Sequence, residues 1–186
     1  MLQRYERQIL KGIREGESSA FETLIDEHYR SVFGFLAYLC GDISSAEDLT
    51  QDTFTSAWSN IDSLKRQASI KTWLHKIAYN KILDSKRTSK RHSVLETEFR
   101  DELSAGKIVS DPLNFVVKDE FSRLLFQAMQ KLEPDEYAVI ILHYIQNFSY
   151  KEMKSVLKEP VGTIKWRTNQ ALKKLREILL AGYNHE

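Results

Sequence analysis

Asp48 and Asp52 stand four residues apart in Ala46-Glu-Asp-Leu-Thr-Gln-Asp-Thr-Phe54, so a helix would carry both carboxylates on one face. Such a pair is able to hold a divalent metal or to divide acid and base work. The rest of the sequence supplies no companions for either task. The histidines (His28, His75, His92, His143, His185) have no ligand spacing, and no His or Cys joins the pair locally. The seven glycines are scattered, with no phosphate-cradling loop. No catalytic residue, metal ligand or cofactor is expected, and the chain is not read as an enzyme. On a helical wheel for residues 45–61, Asp48, Gln51, Asp52, Thr55 and Ser59 share the side opposite the apolar stripe. That face is either plain solubility or a docking surface for a basic partner.

A second chemistry follows in the chain. Lys65, Arg66, Lys71, His75, Lys76, Asn80, Lys81, Lys86 and Arg87 interleave with Trp73 and Tyr79. Cations mixed with rings and amides suit opened or single-stranded DNA, where phosphates meet charge and unstacked bases meet π-faces. Trp73 also fits a core position, given its spacing with Ile77. A third chemistry lies near the C-terminus. On the wheel for the last helix, Trp166 and Lys173 centre a polar sector flanked by Asn169, Gln170 and Arg176, with Lys165 and Arg167 at its edges. Phosphate-binding cations beside amides that hydrogen-bond base edges are the two contact types a major-groove helix requires. A solvated basic helix accounts for the same residues less well, because it leaves a Trp on a polar face.

The elements that must position these groups read as helices throughout. Phe21, Leu24, Ile25, Val32, Phe33, Leu36 and Leu39 form one helical face ending near Gly41-Asp42. Ser44-Ser-Ala-Glu47 has capping-box spacing and is expected to open the next helix, with Ala46, Leu49, Thr53, Phe54, Ala57, Trp58 and Ile61 inward. A third helix is expected from about residue 70 to 86, burying Trp73, Leu74, Ile77, Ala78 and Ile82. Periodicity fades over residues 87–111, which reads as a linker closed by Asp111-Pro112. Phe121, Leu124, Leu125, Ala128, Met129 and Leu132 then form a stripe, and Pro134 suits the first turn of a helix reaching Tyr144. Ser149-Tyr-Lys-Glu152 is another capping box, and Lys158-Glu-Pro-Val-Gly162 a tight turn before a helix over about 163–180. That helix should bury Ile164, Thr168, Ala171, Leu172, Leu175, Ile178 and Leu179. Two short helices joined by a Gly-containing turn, the second basic, make a helix-turn-helix. The fold class is all-α: two small helical domains (residues 1–90 and 113–186) joined by a flexible linker (91–112).

Totals bound the reading further. The 186 residues carry 27 Lys+Arg against 26 Asp+Glu, a net of +1 that by itself argues against a nucleic-acid binder. The distribution says otherwise: residues 15–62 carry −9, 65–91 carry +8, 92–120 carry −4 and 162–177 carry +4. One cysteine, Cys40, forms no internal disulfide, and neither an apolar span nor a signal-peptide core is evident, so a cytoplasmic protein without membrane insertion is expected.

The chain resembles an extracytoplasmic-function (group IV, sigma-70 family) sigma factor of bacterial RNA polymerase over nearly its whole length. The likeness rests on residues 46–54, on Ser69-Ile-Lys-Thr-Trp-Leu-His-Lys-Ile-Ala-Tyr-Asn80, on Phe148-Ser-Tyr-Lys-Glu152 and on Pro160-Val-Gly-Thr-Ile-Lys-Trp-Arg167. It implies an alternative initiation factor that binds core polymerase, directs it to −10/−35 promoters and assists melting. By that resemblance Asp48, Gln51 and Asp52 would engage the β′ clamp. Lys65, Arg66, Lys71, Lys76, Asn80 and Lys81 would meet −10 DNA, with Asn80 at a flipped base. Lys165, Trp166, Arg167, Asn169, Gln170 and Lys173 would meet −35 DNA. The resemblance further implies the β flap and an anti-sigma factor as partners, and poor promoter binding by the free chain. Trp166 departs from the family's usual small residue, Gln170 from its common Arg, and Lys151-Glu-Met-Lys154 from its acidic-Glu-Ile-Ala, which bears on −35 sequence preference. The alternative is a stand-alone helix-turn-helix regulator, which would leave the acidic and basic-aromatic segments without a task.

Overall fold

The computed structural model describes residues 2–64, 69–95 and 120–183, and these form helices with no strand among them. Four helices make a first group: α1 (Leu2–Arg14), α2 (Ser18–Cys40), α3 (Ile43–Ser59) and α4 (Ile70–Leu95), with a 3-10 turn over Ile61–Ser63. Helix α2 packs on α1, α3 and α4 through Leu24, Val32, Phe35 and Leu36, all fully buried. Each such side chain contributes about 1.5–3 kcal/mol through burial. The second group is α5 (Glu120–Met129), α6 (Pro134–Ile140) continued by a π-helical turn (Ile141–Ile145), α7 (Tyr150–Leu157) and α8 (Val161–Tyr183).

Local sequence explains most boundaries. Helix α2 ends at Gly41, whose φ of 70° is the left-handed conformation that closes a helix, its N–H bonding the Ala37 carbonyl. Gly41→Ala should therefore cost about 1 kcal/mol in a urea titration, since a Cβ is disfavoured there. Helix α3 is capped two residues before the expected capping box: Asp42 accepts from the Ser45 N–H at 2.8 Å. Thr50 and Thr53, buried on its inner face, satisfy their hydroxyls on the Ala46 and Leu49 carbonyls. Pro134 does open α6, within a reciprocal Glu133–Glu136 capping box. Ser149 and Glu152 cap α7 as the sequence indicates.

Four expectations are corrected. Helix α1 had no counterpart in the sequence reading, although Ile9, Leu10 and Ile13 have helical spacing and are buried. Helix α4 runs to Leu95 rather than ending near residue 86, because Lys86 to Arg91 includes Lys and Arg residues with good helix propensity. Trp58 is exposed at the edge of the α3 stripe and rests edge-on against Phe21, ring centroids 4.7 Å apart. Leu172 is also exposed, because α5, α6 and α7 pack along the Ile164, Thr168, Ala171 and Leu175 line of α8. The linker expected over 91–112 lies mostly outside the described residues.

The two groups are in contact. Helix α7 lies against α4, and the segment after the π-helical turn enters between α2 and α4. Phe148, buried, places its ring 4.8 Å from that of His75, which also meets Phe35 at 5.1 Å.

Candidate nucleic-acid interface

The helix-turn-helix is α7, a turn at Lys158–Pro160 and α8. Lys158 takes the left-handed conformation (φ 59°) that ends α7, and its N–H bonds the Lys154 carbonyl. Pro160 accepts from the Ile164 N–H, which starts α8 two residues earlier than its periodicity indicated. With Ile164, Thr168, Ala171 and Leu175 buried, the opposite face presents Lys165, Trp166, Asn169, Lys173 and Arg176 to solvent, with Gln170 half-buried. Trp166 is 61% exposed, more than any other large apolar side chain among the described residues. The Lys165 ammonium sits 5.6 Å over the Tyr150 ring, which stacks on His143 at 4.5 Å. His143 in turn bonds the Phe148 carbonyl through Nδ1 at 2.8 Å. This aromatic pair was not singled out from sequence, since only tertiary packing brings residues 143, 150 and 165 together. Arg167, expected at the edge of the same face, is instead held by two carboxylates, Glu159 and Asp135 (the latter at 3.7 Å).

On α4 the expected residues diverge. Lys76 is half-buried, and Trp73 packs partly against the core. His75 and Tyr79 are buried rather than offered outward. The Lys71 ammonium donates to the Gln146 carbonyl at 2.5 Å and lies 4.6 Å over the Phe148 ring. Burial lowers its pKa, with Glu152 opposing. Asn80 accepts through Oδ1 from the Lys158 ammonium at 3.0 Å, and Lys81 pairs with Asp52 at 3.6 Å. Tyr79 lies beside Asp135, Glu159 and Arg167; burial and the two carboxylates push its hydroxyl up to about 12, against the arginine. Lys65 and Arg66 lie outside the described residues.

Helix α3 presents Asp48, Gln51, Asp52, Thr55 and Ser59 outward together, as the wheel indicated, and Trp58 is exposed close by in sequence. No cluster of three or more metal-competent side chains occurs among the described residues, and no described helix is long and apolar enough to cross a membrane.

Comparison with known proteins joins these surfaces. Residues 24–92 match the family model Sigma-70 region 2, and residues 128–177 match Sigma-70, region 4. The chain is 33% identical over 177 residues to the ECF RNA polymerase sigma factor SigW of Bacillus subtilis, covering 91% of this chain and 94% of that protein.

The chain belongs to the ECF RNA polymerase sigma factors.

The ECF sigma-E factor of Escherichia coli is 25% identical over 171 residues, covering 88% of each chain. Among solved structures, the Bartonella quintana sigma factor RpoE, crystallised with the anti-sigma factor NepR, superposes with a TM-score of 0.72 at 27% identity, covering 86% of this chain and 96% of that one. CnrH, solved with the cytosolic domain of CnrY, shares the fold at a TM-score of 0.69 and 23% identity, covering 95% of this chain and 98% of that one. This ECF sigma factor is thus an alternative sigma factor that directs RNA polymerase to promoters. It is an initiation factor and not a catalyst.

Proposed function

We propose that residues 1–90 act as region 2, 91–112 as the linker and 113–186 as region 4, with the promoter contacts divided between them. In this reading Asp48, Gln51 and Asp52 dock on the β′ clamp of core polymerase. Lys65, Arg66, Lys71, Lys76, Asn80 and Lys81 serve the −10 element and its melting. Lys165, Trp166, Asn169, Gln170 and Lys173 read the −35 element from the major groove, with region 4 held by the β flap. The observation that carries it is the presence of three chemically different surfaces. An acidic α3 face, a basic α4 that adjoins it at the Asp52–Lys81 pair, and a basic α8 face with an exposed Trp are all there, and initiation uses all three.

The contacts of Lys71 with Gln146 and of Lys158 with Asn80 also support a free chain whose −10 residues are engaged internally. An anti-sigma factor that stabilises this closed arrangement in the cytoplasm is the matching partner class.

Run-off transcription with core polymerase tests the reading, and its variant arm tests the docking face. Asp48→Ala with Asp52→Ala should weaken core binding about tenfold or more, by removing charge complementarity, while leaving the helical spectrum unchanged. Both carboxylates are exposed, so the fold does not rest on them. Unchanged affinity for core would sink the assignment of this face.

A further inference from the structure

Arg167 sits on the helix read here as the −35 reader, yet its surroundings are those of a strut. Its side chain is only 17% exposed. One guanidinium nitrogen bonds Glu159 Oε2, and the other lies 3.7 Å from Asp135 Oδ2. Glu159 belongs to the turn between α7 and α8, and Asp135 to the first turn of α6. The arginine therefore ties three segments around the helix-turn-helix: the turn, the entry of α6, and α8 nearly two turns beyond its start. A planar fork with several donors suits such bridging, where a lysine would be a single point of charge. Both carboxylates lie within the second helical group, and Tyr79 of α4, in the first group, lies beside the clamp.

The electrostatics point the same way. A phosphate ligand would have to displace two acids already in place. Left without Arg167, Glu159 and Asp135 would put uncompensated negative charge close to the base-reading face. Lys165, Trp166 and Asn169, by contrast, are exposed on α8.

We propose that Arg167 is a positioning residue of the helix-turn-helix: through Glu159 and Asp135 it fixes the turn and the first turns of α8, so that Lys165, Trp166, Asn169 and Gln170 meet the −35 bases in register, and it does not itself bind phosphate. This rests on the reading of α8 as the −35 helix.

The experiment uses the chain assembled with core polymerase. Transcription from promoters randomised at the −35 element gives the base preference, and promoter binding across salt concentrations gives the number of phosphate contacts. Arg167→Gln and Glu159→Gln should each flatten the preference about tenfold at more than one position, because several base contacts lose their alignment together. The two changes combined should do little more than either alone, as coupled partners behave. The salt slope should stay at the wild-type value in both, whereas Lys173→Ala should reduce it by about one and keep the preference pattern.

Glu159→Gln is the sharper arm, since removing an acid near DNA otherwise strengthens binding. Glu159→Gln that tightens binding with its preference intact would overturn the proposal. So would Arg167→Gln that lowers all sequences alike with a shallower slope, or that leaves the preference unchanged. Should Arg167→Gln lose its helical signal, Arg167→Lys, which keeps a cation beside Glu159, decides by the same readouts. A wild-type chain with no −35 preference would remove the assignment of α8 itself, and with it any role for Arg167. That failure is recognised in the unmodified protein, before any variant is compared.

Discussion

Phe148→Ala should open the molecule. The ring is 2% exposed and lies between His75 and the Lys71 ammonium, so truncation removes the apolar centre of the seam between the two helical groups. Large-to-small changes at such sites cost about 3–5 kcal/mol, part lost transfer energy and part cavity. What remains across the seam is the Tyr38–Phe126 ring contact, centroids 6.2 Å apart, the packing of α7 on α4, and a few polar bonds. Ser31 donates to Gln146 Oε1 at 2.8 Å, Lys71 to the Gln146 carbonyl, and the Lys158 ammonium to Asn80, near the surface. Such bonds contribute about 0.5–1.5 kcal/mol each, less than the burial that Phe148 supplies. Small-angle scattering of the free chain should show a larger radius of gyration for Phe148→Ala than for wild type. Leu175→Ala, which empties space within the second group, should lower stability with compactness kept. In the proposed reading the opened variant also frees Lys71 and Asn80, and its free chain should bind promoter DNA more tightly. A Phe148→Ala chain as compact as wild type would place the ring's contribution within the second group alone.

That seam was not legible in the sequence, and the reason is physical. Periodicity, caps and turn residues report on neighbours within a few positions. They disclosed α2, the Pro134 start of α6, the Ser149–Glu152 box and the buried Ile164–Leu175 line of α8, all of which follow from local rules. Ser31 and Gln146 are 115 residues apart, and no local pattern records that they meet. The same limit explains His75. In sequence it sits among lysines and reads as part of a basic face. In the fold it is fully buried, because region 4 covers that side of α4. Arg167 is a related case: the wheel gives an angle around α8, while Glu159 and Asp135 decide where the guanidinium goes. Net charge misled for the opposite reason, because a sum of +1 erased the segregation along the chain.

The buried histidine makes stability depend on pH in a window set by its own titration. His75 bonds the Lys71 carbonyl through Nδ1 at 2.9 Å, and its Nε2 lies 3.4 Å from Ser31 Oγ. Phe35 and Phe148 pack on the ring, and no carboxylate is among these partners. Burial brings its pKa down to about 4; the charges of Lys71 and His28 act in the same direction, and the bond to the Lys71 carbonyl opposes them. In the unfolded chain a histidine titrates near 6.5. Between those values the unfolded chain takes up a proton that the folded one refuses, so acid favours unfolding. The stabilisation is complete above pH 6.5 and is lost as pH falls toward 4, a total of about 3 kcal/mol at 1.36 kcal/mol for each pKa unit. His75→Phe cannot titrate. The difference in unfolding free energy between wild type and His75→Phe should therefore shift against wild type by about 1.4 kcal/mol per pH unit inside the window and stay flat above it. Carboxylates that titrate at the acid end are common to both proteins and cancel in the difference. Parallel pH profiles would mean that His75 accepts its proton in the closed fold, and that the seam admits water or a counter-charge to meet it.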